Sequence, residues 1–233
     1  MAEITVLYHD GPCLVVSKPP GLLTQAPPGI DCLELRVKAW LRQRGLGHAL
    51  PGRDDQLYLG IPHRLDRPAS GAIVFGLHKR ATRRLAKQFE RREVRKLYWA
   101  GAAGAVEPPA GLWEDTLWKV FGQPRAEVVA AEHPEGRHAA LRYRVLAQDA
   151  AASWLEIELL TGRTHQVRIQ AASRGHPLLG DELYGSTVAF GPPQTDERLR
   201  AIALHARQLE FRHPMTRAPV CAVAPVTADW PAL

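Results

Sequence analysis

The chain has 233 residues, enough for one large domain or two lobes on a shared core, and its 45% hydrophobic and 23% charged residues are ordinary for a globular protein. No apolar run approaches the roughly 20 residues of a membrane helix, and the opening "MAEITVLYHDG" lacks the basic and apolar regions of a secretory signal. A net charge of +6 and a pI near 9.5 point to a polyanionic partner.

"ITVLYHD-GP-CLVVSKPPG" reads as two short strands broken by a turn, the second apolar enough to be interior. In "LELRVKAWLRQRG", Leu33, Val37, Trp40 and Leu41 recur at helical spacing and Gly45 supplies a stop. "GAIVFGLH" is the next strand. Residues 78–96 hold nine Lys/Arg against two Glu, so this segment carries +7 and the rest of the chain about −1. Within it Ala81, Leu85 and Phe89 share one helix face, which predicts an amphipathic helix docked by its apolar stripe, with Arg84, Lys87 and Arg91 on the surface.

"KLYWAGAAG" returns to a strand. "AALRYRVLAQD" and "SWLEIELLTG" alternate as half-buried antiparallel strands, "RTHQVRIQAASRG" reads as a helix, and "ALHARQLEFRHP" and "APVCAVAPV" supply late strands. Gly/Pro-rich stretches mark loops, among them 45–57, 106–115 and 187–198. The sum is an α+β fold on a largely antiparallel or mixed central sheet flanked by helices and loops. Cys13, Cys32 and Cys221 lie far apart without a CxxC pair, the pattern of buried thiols in a reducing cytoplasm.

Chemistry concentrates in three places. "IPHRLDRPASG" puts one carboxylate, Asp66, between Arg64 and Arg67 beside His63. An ordinary aspartate (pKa about 3.9) is ionised at neutral pH, which suits a nucleophile or base; taken alone, a loop aspartate such as Asp66 is more often a structural acid paired to Arg64 or Arg67. "ELLTGRTHQVRIQ" presents Arg163, His165 and Arg168 at a turn after a strand, where functional side chains are often displayed. Tyr98 in "VRKLYWA" opens a strand just past the basic helix. There is no HExxH, no GxxxxGK[ST] and no GxGxxG after a strand, and a glycosidase would need a second carboxylate.

Isomerisation of uridine to pseudouridine needs only one carboxylate: the N1–C1′ bond breaks, uracil departs carrying its own negative charge, and C5 bonds to C1′. The "HRLDRPASG" segment resembles the HRLD-x-x-[ST]-S-G signature of the RluA-type pseudouridine synthase family. "HDGPCLVVSKPPGLL", "KLYWA", "TGRTHQVRIQAASRGHPLLGDELYG" and "LHARQLEFRHP" resemble that family's other blocks, in its order, across roughly residues 5 to 225. The resemblance implies a pseudouridine synthase-like fold and one catalytic domain over 1–233, two lobes sharing one sheet.

It further implies a cofactor-free, metal-free isomerase acting on structured rRNA or tRNA, cytoplasmic and monomeric. Asp66 matches the family's catalytic aspartate. Tyr98 matches the tyrosine that packs on the target base and serves in C5 deprotonation, and Arg163 the arginine that pairs with the aspartate. Arg64 matches a residue inserted where the flipped base was, and Leu204 an apolar pocket residue. His63, Arg67, His165, Arg168, Arg84, Lys87 and Arg91 are then expected on the RNA side.

Two departures bear on this. Ala69 stands where the family has Thr, removing a loop hydroxyl. With the chain opening at the catalytic strands, RNA recognition is expected from the catalytic domain alone, without an S4-type domain. The alternative from another class is a non-catalytic RNA-binding or RNA-folding protein on the same scaffold; Asp66→Asn separates the two.

Overall fold

The computed structural model describes residues 4–47, 49–50 and 53–233. Its contacts divide the chain into two compact units. One comprises Met1–Arg95 with Ala206–Pro225, the other Lys96–His205 with Val226–Leu233.

In the first unit, β1 (Thr5–Asp10) and β2 (Cys13–Lys18) form an antiparallel hairpin, and β2 pairs antiparallel with β5 (Ser70–Gly76). The apolar runs of β2 and β5 are buried almost throughout because both faces are covered. Between them come α1 (Leu33–Gln43) and a two-stranded sheet of β3 (Ala49–Leu50) and β4 (Arg53–Leu57). The α1 helix buries Leu33, Val37 and Leu41 as the spacing predicts. The sequence reads 45–57 as loop; its described part carries this small sheet instead, and residues 48, 51 and 52 lie outside the described residues.

Helix α2 (Lys79–Glu90) starts at His78, whose Nδ1 accepts the Ala81 N–H at 3.0 Å. Its buried Ala81 and Leu85 face inward, and Leu85 joins Val15, Val74, Leu209 and Phe211 in one core. Close docking rests on Gly60 and Gly76: a Cβ on either would come within 2.4 Å of the Thr82 side chain.

In the second unit the strand order is β6 (Arg95–Ala103, Lys96 onward), β10 (Ala152–Leu159), β9 (Arg137–Gln148), β7 (Ala110–Lys119), β8 (Ala126–Val129), and each neighbouring pair is antiparallel. The predicted alternation of β9 and β10 is present: Leu141, Tyr143, Leu155 and Ile157 are buried, while Arg144 meets Glu156 across the strands at 2.8 Å. Helix α3 (Gln166–Ala172) follows β10. The expected loop at 106–115 is half strand, since β7 begins at Ala110; the exposed Leu112 and the flanking glycines and prolines hid its alternation.

Strand β11 (Leu204–Arg212) pairs antiparallel with β12 (Pro219–Val223). Cys13 and Cys32 are buried as expected, and burial pushes the Cys13 thiol up to about 12. Cys221, on β12, is exposed, contrary to expectation, because it points away from the alternating buried residues Val220 and Ala222.

Candidate active site

Asp66 sits half-buried in the loop between β4 and β5. That loop is sutured to residues 18–24, directly after β2. The Thr24 hydroxyl donates to the Leu65 carbonyl at 3.1 Å and accepts the Leu65 N–H at 3.3 Å. Arg67 Nε donates to the Gly21 carbonyl at 2.9 Å. Lys18 has no exposed surface, and its Nζ donates to the carbonyls of Pro19, Leu22 and Arg67 at 2.9, 2.8 and 3.1 Å. Three acceptors match the three protons of an ammonium. Burial pushes the Lys18 pKa down to about 7, while the Asp66 charge pulls it back up and Arg67 adds to the lowering.

The same loop is bolted on its other side. His63 Nε2 accepts the Val74 N–H at 3.1 Å, and its ring stacks on Phe89 with centroids 4.4 Å apart. The Ala69 N–H closes the turn on the Asp66 carbonyl at 3.2 Å. Ala69 is 1% exposed, so the missing hydroxyl would have pointed into packed surroundings. Gly71, at φ +113°, lies so close to the Ala206 backbone that a Cβ would come within 2.4 Å of it. His63 and Arg67, expected on the RNA side, thus also fasten the loop through bonds to Val74 and Gly21, and both stay partly exposed. Arg64 is exposed.

On α2 the expected cations part ways. Lys87 and Arg91 are exposed, as are Lys79, Arg80 and Arg83. Arg84 is half-buried and donates to the Pro214 carbonyl at 2.8 Å. Gln88, buried next to it, exchanges two hydrogen bonds with the Arg212 backbone at 2.8 and 2.9 Å. Arg84 thus helps hold the helix down while part of its side chain stays at the surface.

In the second unit Tyr98 lies on β6 opposite Ile157 and is 8% exposed. Leu204 is buried next to Ala203, whose backbone bonds to Gly101 on β6 and to Leu179. The turn before α3 is cross-braced by Gln166: its Oε1 accepts from the Thr161 hydroxyl at 2.7 Å and from the Arg163 N–H at 3.0 Å, and its Nε2 donates to the Ala140 carbonyl at 3.0 Å. The half-buried Arg163 donates through Nε to the His138 carbonyl at 2.9 Å. His165 is held at φ +52°, a conformation costing a non-glycine residue about 1 kcal/mol, with its Nδ1 2.9 Å from the Tyr184 hydroxyl.

Arg168 is buried. Its guanidinium makes a bidentate pair with Asp181 at 2.7 and 2.8 Å and lies 5.1 Å from the Tyr184 ring centroid. The sequence places it among the RNA-binding residues; at 4% exposure it is buried and braces the interior.

The chain matches known proteins in sequence and in fold. Residues 12–173 match the RNA pseudouridylate synthase family. The chain belongs to that family.

It is 34% identical over 232 residues to ribosomal large subunit pseudouridine synthase D of Xanthomonas campestris, covering 97% of this chain and 67% of that protein. With the dual-specificity RNA pseudouridine synthase RluA of Pasteurella multocida it shares 33% identity over 221 residues, 92% and 89% of the two chains. In solved structures, human RNA pseudouridylate synthase domain containing 4 superposes with a TM-score of 0.74 at 22% identity, covering 96% of this chain and 89% of the other, a likeness of fold. The chain is thus an RluA-type RNA pseudouridine synthase, an isomerase with an α+β fold.

Sequence reasoning missed two residues of the synthase that hold Asp66, Lys18 and Thr24. The signal was present in "VVSKPPGLLT": a lysine ending an otherwise apolar, interior strand must find acceptors. Tyr184 and Asp181 were also missed, although they stand in the "GDELYG" block. Among the described residues no group of three His, Cys, Asp or Glu side chains is placed to hold a metal ion.

Proposed function

We propose that this synthase isomerises particular uridines in a structured rRNA or tRNA, with Asp66 as the reacting carboxylate. The observation that carries this reading is the fastening of the Asp66 loop. Leu65 and Arg67, its two chain neighbours, are each tied to residues 18–24, so the backbone on both sides of the carboxylate is fixed. Preorganisation of this kind is what a reaction depending on one correctly aimed oxygen requires.

In this reading the target uridine leaves the helical stack, at a cost of a few kcal/mol, and the exposed Arg64 occupies the space it vacates. Asp66 acts as the bond between N1 and C1′ breaks. Uracil turns, C5 bonds to C1′, and Tyr98 packs on the base and serves in removal of the C5 proton. Arg163 orients the carboxylate and offsets its charge. The exposed cations of α2 hold phosphates beside the flipped nucleotide. The family match runs through parts of both compact units, which supports treating them as one catalytic domain. The reducing cytoplasm is the proposed compartment, and three free thiols suit it.

The test is pseudouridine mapping across all RNAs of a host lacking this protein, complemented with the native chain or with Asp66→Asn. Return of one or a few sites with the native chain alone is the expected result and names the substrate. Equal restoration by both chains, or no dependent site, overturns the catalytic assignment.

A further inference from the structure

The β7–β8 hairpin carries a feature that the reaction described above does not use. Phe121, in its turn, is 95% exposed, whereas no other large hydrophobic residue among the described residues exceeds 50%. The turn is closed by Val120 and Arg125, whose backbones bond at 3.2 Å, so the ring is displayed by an ordered hairpin. An aromatic ring held in water forfeits roughly 2 kcal/mol of burial, and turn positions ordinarily go to small polar residues.

The base of this hairpin is anchored to the turn that bears Arg163. The Tyr184 hydroxyl accepts the Ala126 N–H at 2.9 Å and also meets His165 Nδ1 at 2.9 Å. Between hairpin and turn lies a cleft of about 310 Å³, lined by Trp118, Lys119, Arg137, Arg163 and Thr164, with Glu135 as its one carboxylate. That carboxylate accepts the Trp118 indole N–H at 3.0 Å. Three cations against one acid make the lining attractive to phosphate.

We propose that this hairpin is an RNA-docking finger: an RNA strand tracks its phosphates through the cleft at Lys119 and Arg137, and Phe121 stacks on an unpaired base of the same strand. The occupant is RNA rather than protein because the tip, Phe121 to Arg125, offers a single aromatic face beside Gly122, Gln123, Pro124 and Arg125, far short of the area a protein interface buries. One ring beside a cationic track is the combination that holds single-stranded nucleic acid. The inference rests on the reading that the chain modifies RNA, and gives that reading a recognition element outside the HRLD loop and α2.

The test measures initial rates of pseudouridine formation on total RNA from a host lacking the protein, over a range of RNA concentrations. It compares the native chain with Phe121→Ala, Phe121→Leu and Phe121→Trp. Phe121→Ala is expected to slow the reaction at limiting RNA about tenfold, within the range for loss of one base–aromatic stack, and the deficit shrinks as RNA is raised. Phe121→Leu behaves like the alanine variant, Phe121→Trp restores the rate, and melting temperatures stay together because the ring touches solvent. Equal rates for Phe121→Ala and the native chain, or full rescue by Phe121→Leu, overturn the stacking finger and leave the catalytic reading intact. No activity in the native chain overturns the catalytic reading itself.

Discussion

The Thr24 hydroxyl clasps the peptide of Leu65, giving one hydrogen bond to its carbonyl and taking one from its N–H, at 3.1 and 3.3 Å. The clasped residue precedes Asp66. A side chain 41 positions away thereby fixes the backbone from which the carboxylate projects. Thr24→Val keeps shape and volume but leaves a buried N–H and carbonyl unsatisfied, at a cost of about 1–3 kcal/mol. The variant is expected to lose turnover more than it loses folded population at working temperature, and Thr24→Ser to recover both. Parallel turnover and melting measurements check this; a variant with lowered melting temperature and native turnover would show that the clasp serves stability alone.

Lys18 gives the synthase a pH signature. Its pKa is about 7 in the folded chain and near 10.5 when unfolded. Between those values the unfolded chain binds a proton that the folded chain has released, so stability gained from this group rises with pH, at up to about 1.4 kcal/mol per unit. The burial penalty is fully present below pH 7 and relieved above it. Melts of the native chain and of Lys18→Met across this window should show a difference with that slope. A constant difference would mean the three carbonyls keep Lys18 charged throughout.

Arg168 and Asp181 form an ion pair with side-chain exposures of 5% and 1%. Removing one partner strands the other charge in the interior. Asp181→Ala and Arg168→Ala are each expected to cost about 3–5 kcal/mol, and the double substitution by matched apolar residues much less. Denaturant unfolding of the three variants gives the comparison. Were Arg168 an RNA contact instead, Arg168→Ala would weaken RNA binding with stability unchanged.

The α2 cations should separate by function. Lys87→Ala and Arg83→Ala, exposed, are expected to reduce the slope of log affinity against log salt by up to about one phosphate contact each. Arg84→Ala, which breaks the bond to the Pro214 carbonyl, should lower the melting temperature and leave that slope alone. Salt titrations of binding to total RNA, with melts alongside, distinguish the two classes.

Local pattern made much of this architecture legible. The four-residue recurrence of Ala81, Leu85 and Phe89 specified α2, and strict alternation specified β9 and β10, because periodicity reports directly which face is buried. The β3–β4 pair and the start of β7 escaped notice because prolines, glycines and the exposed Leu112 mask a strand signal. For the site, ordered motif blocks marked Asp66, Tyr98 and Arg163. The sorting of cations was not legible: Arg84, Arg67 and Arg168 look the same in the sequence as Lys87 and Arg64, and differ only in whether a carbonyl or carboxylate waits beside them in the fold.

By itself the sequence determined the family and its chemistry, the candidate carboxylate and a helix with a basic outer face, since motifs and periodicities are properties of neighbouring residues. Only the tertiary structure decided what holds Asp66 in place, which cations reach water, and that a phenylalanine stands exposed at a hairpin tip. Those depend on partners tens of residues distant, as when Lys18 meets the Arg67 carbonyl 49 positions along the chain. A buried donor finds its acceptor through the packing of strands and loops, and no local pattern records which acceptor that is.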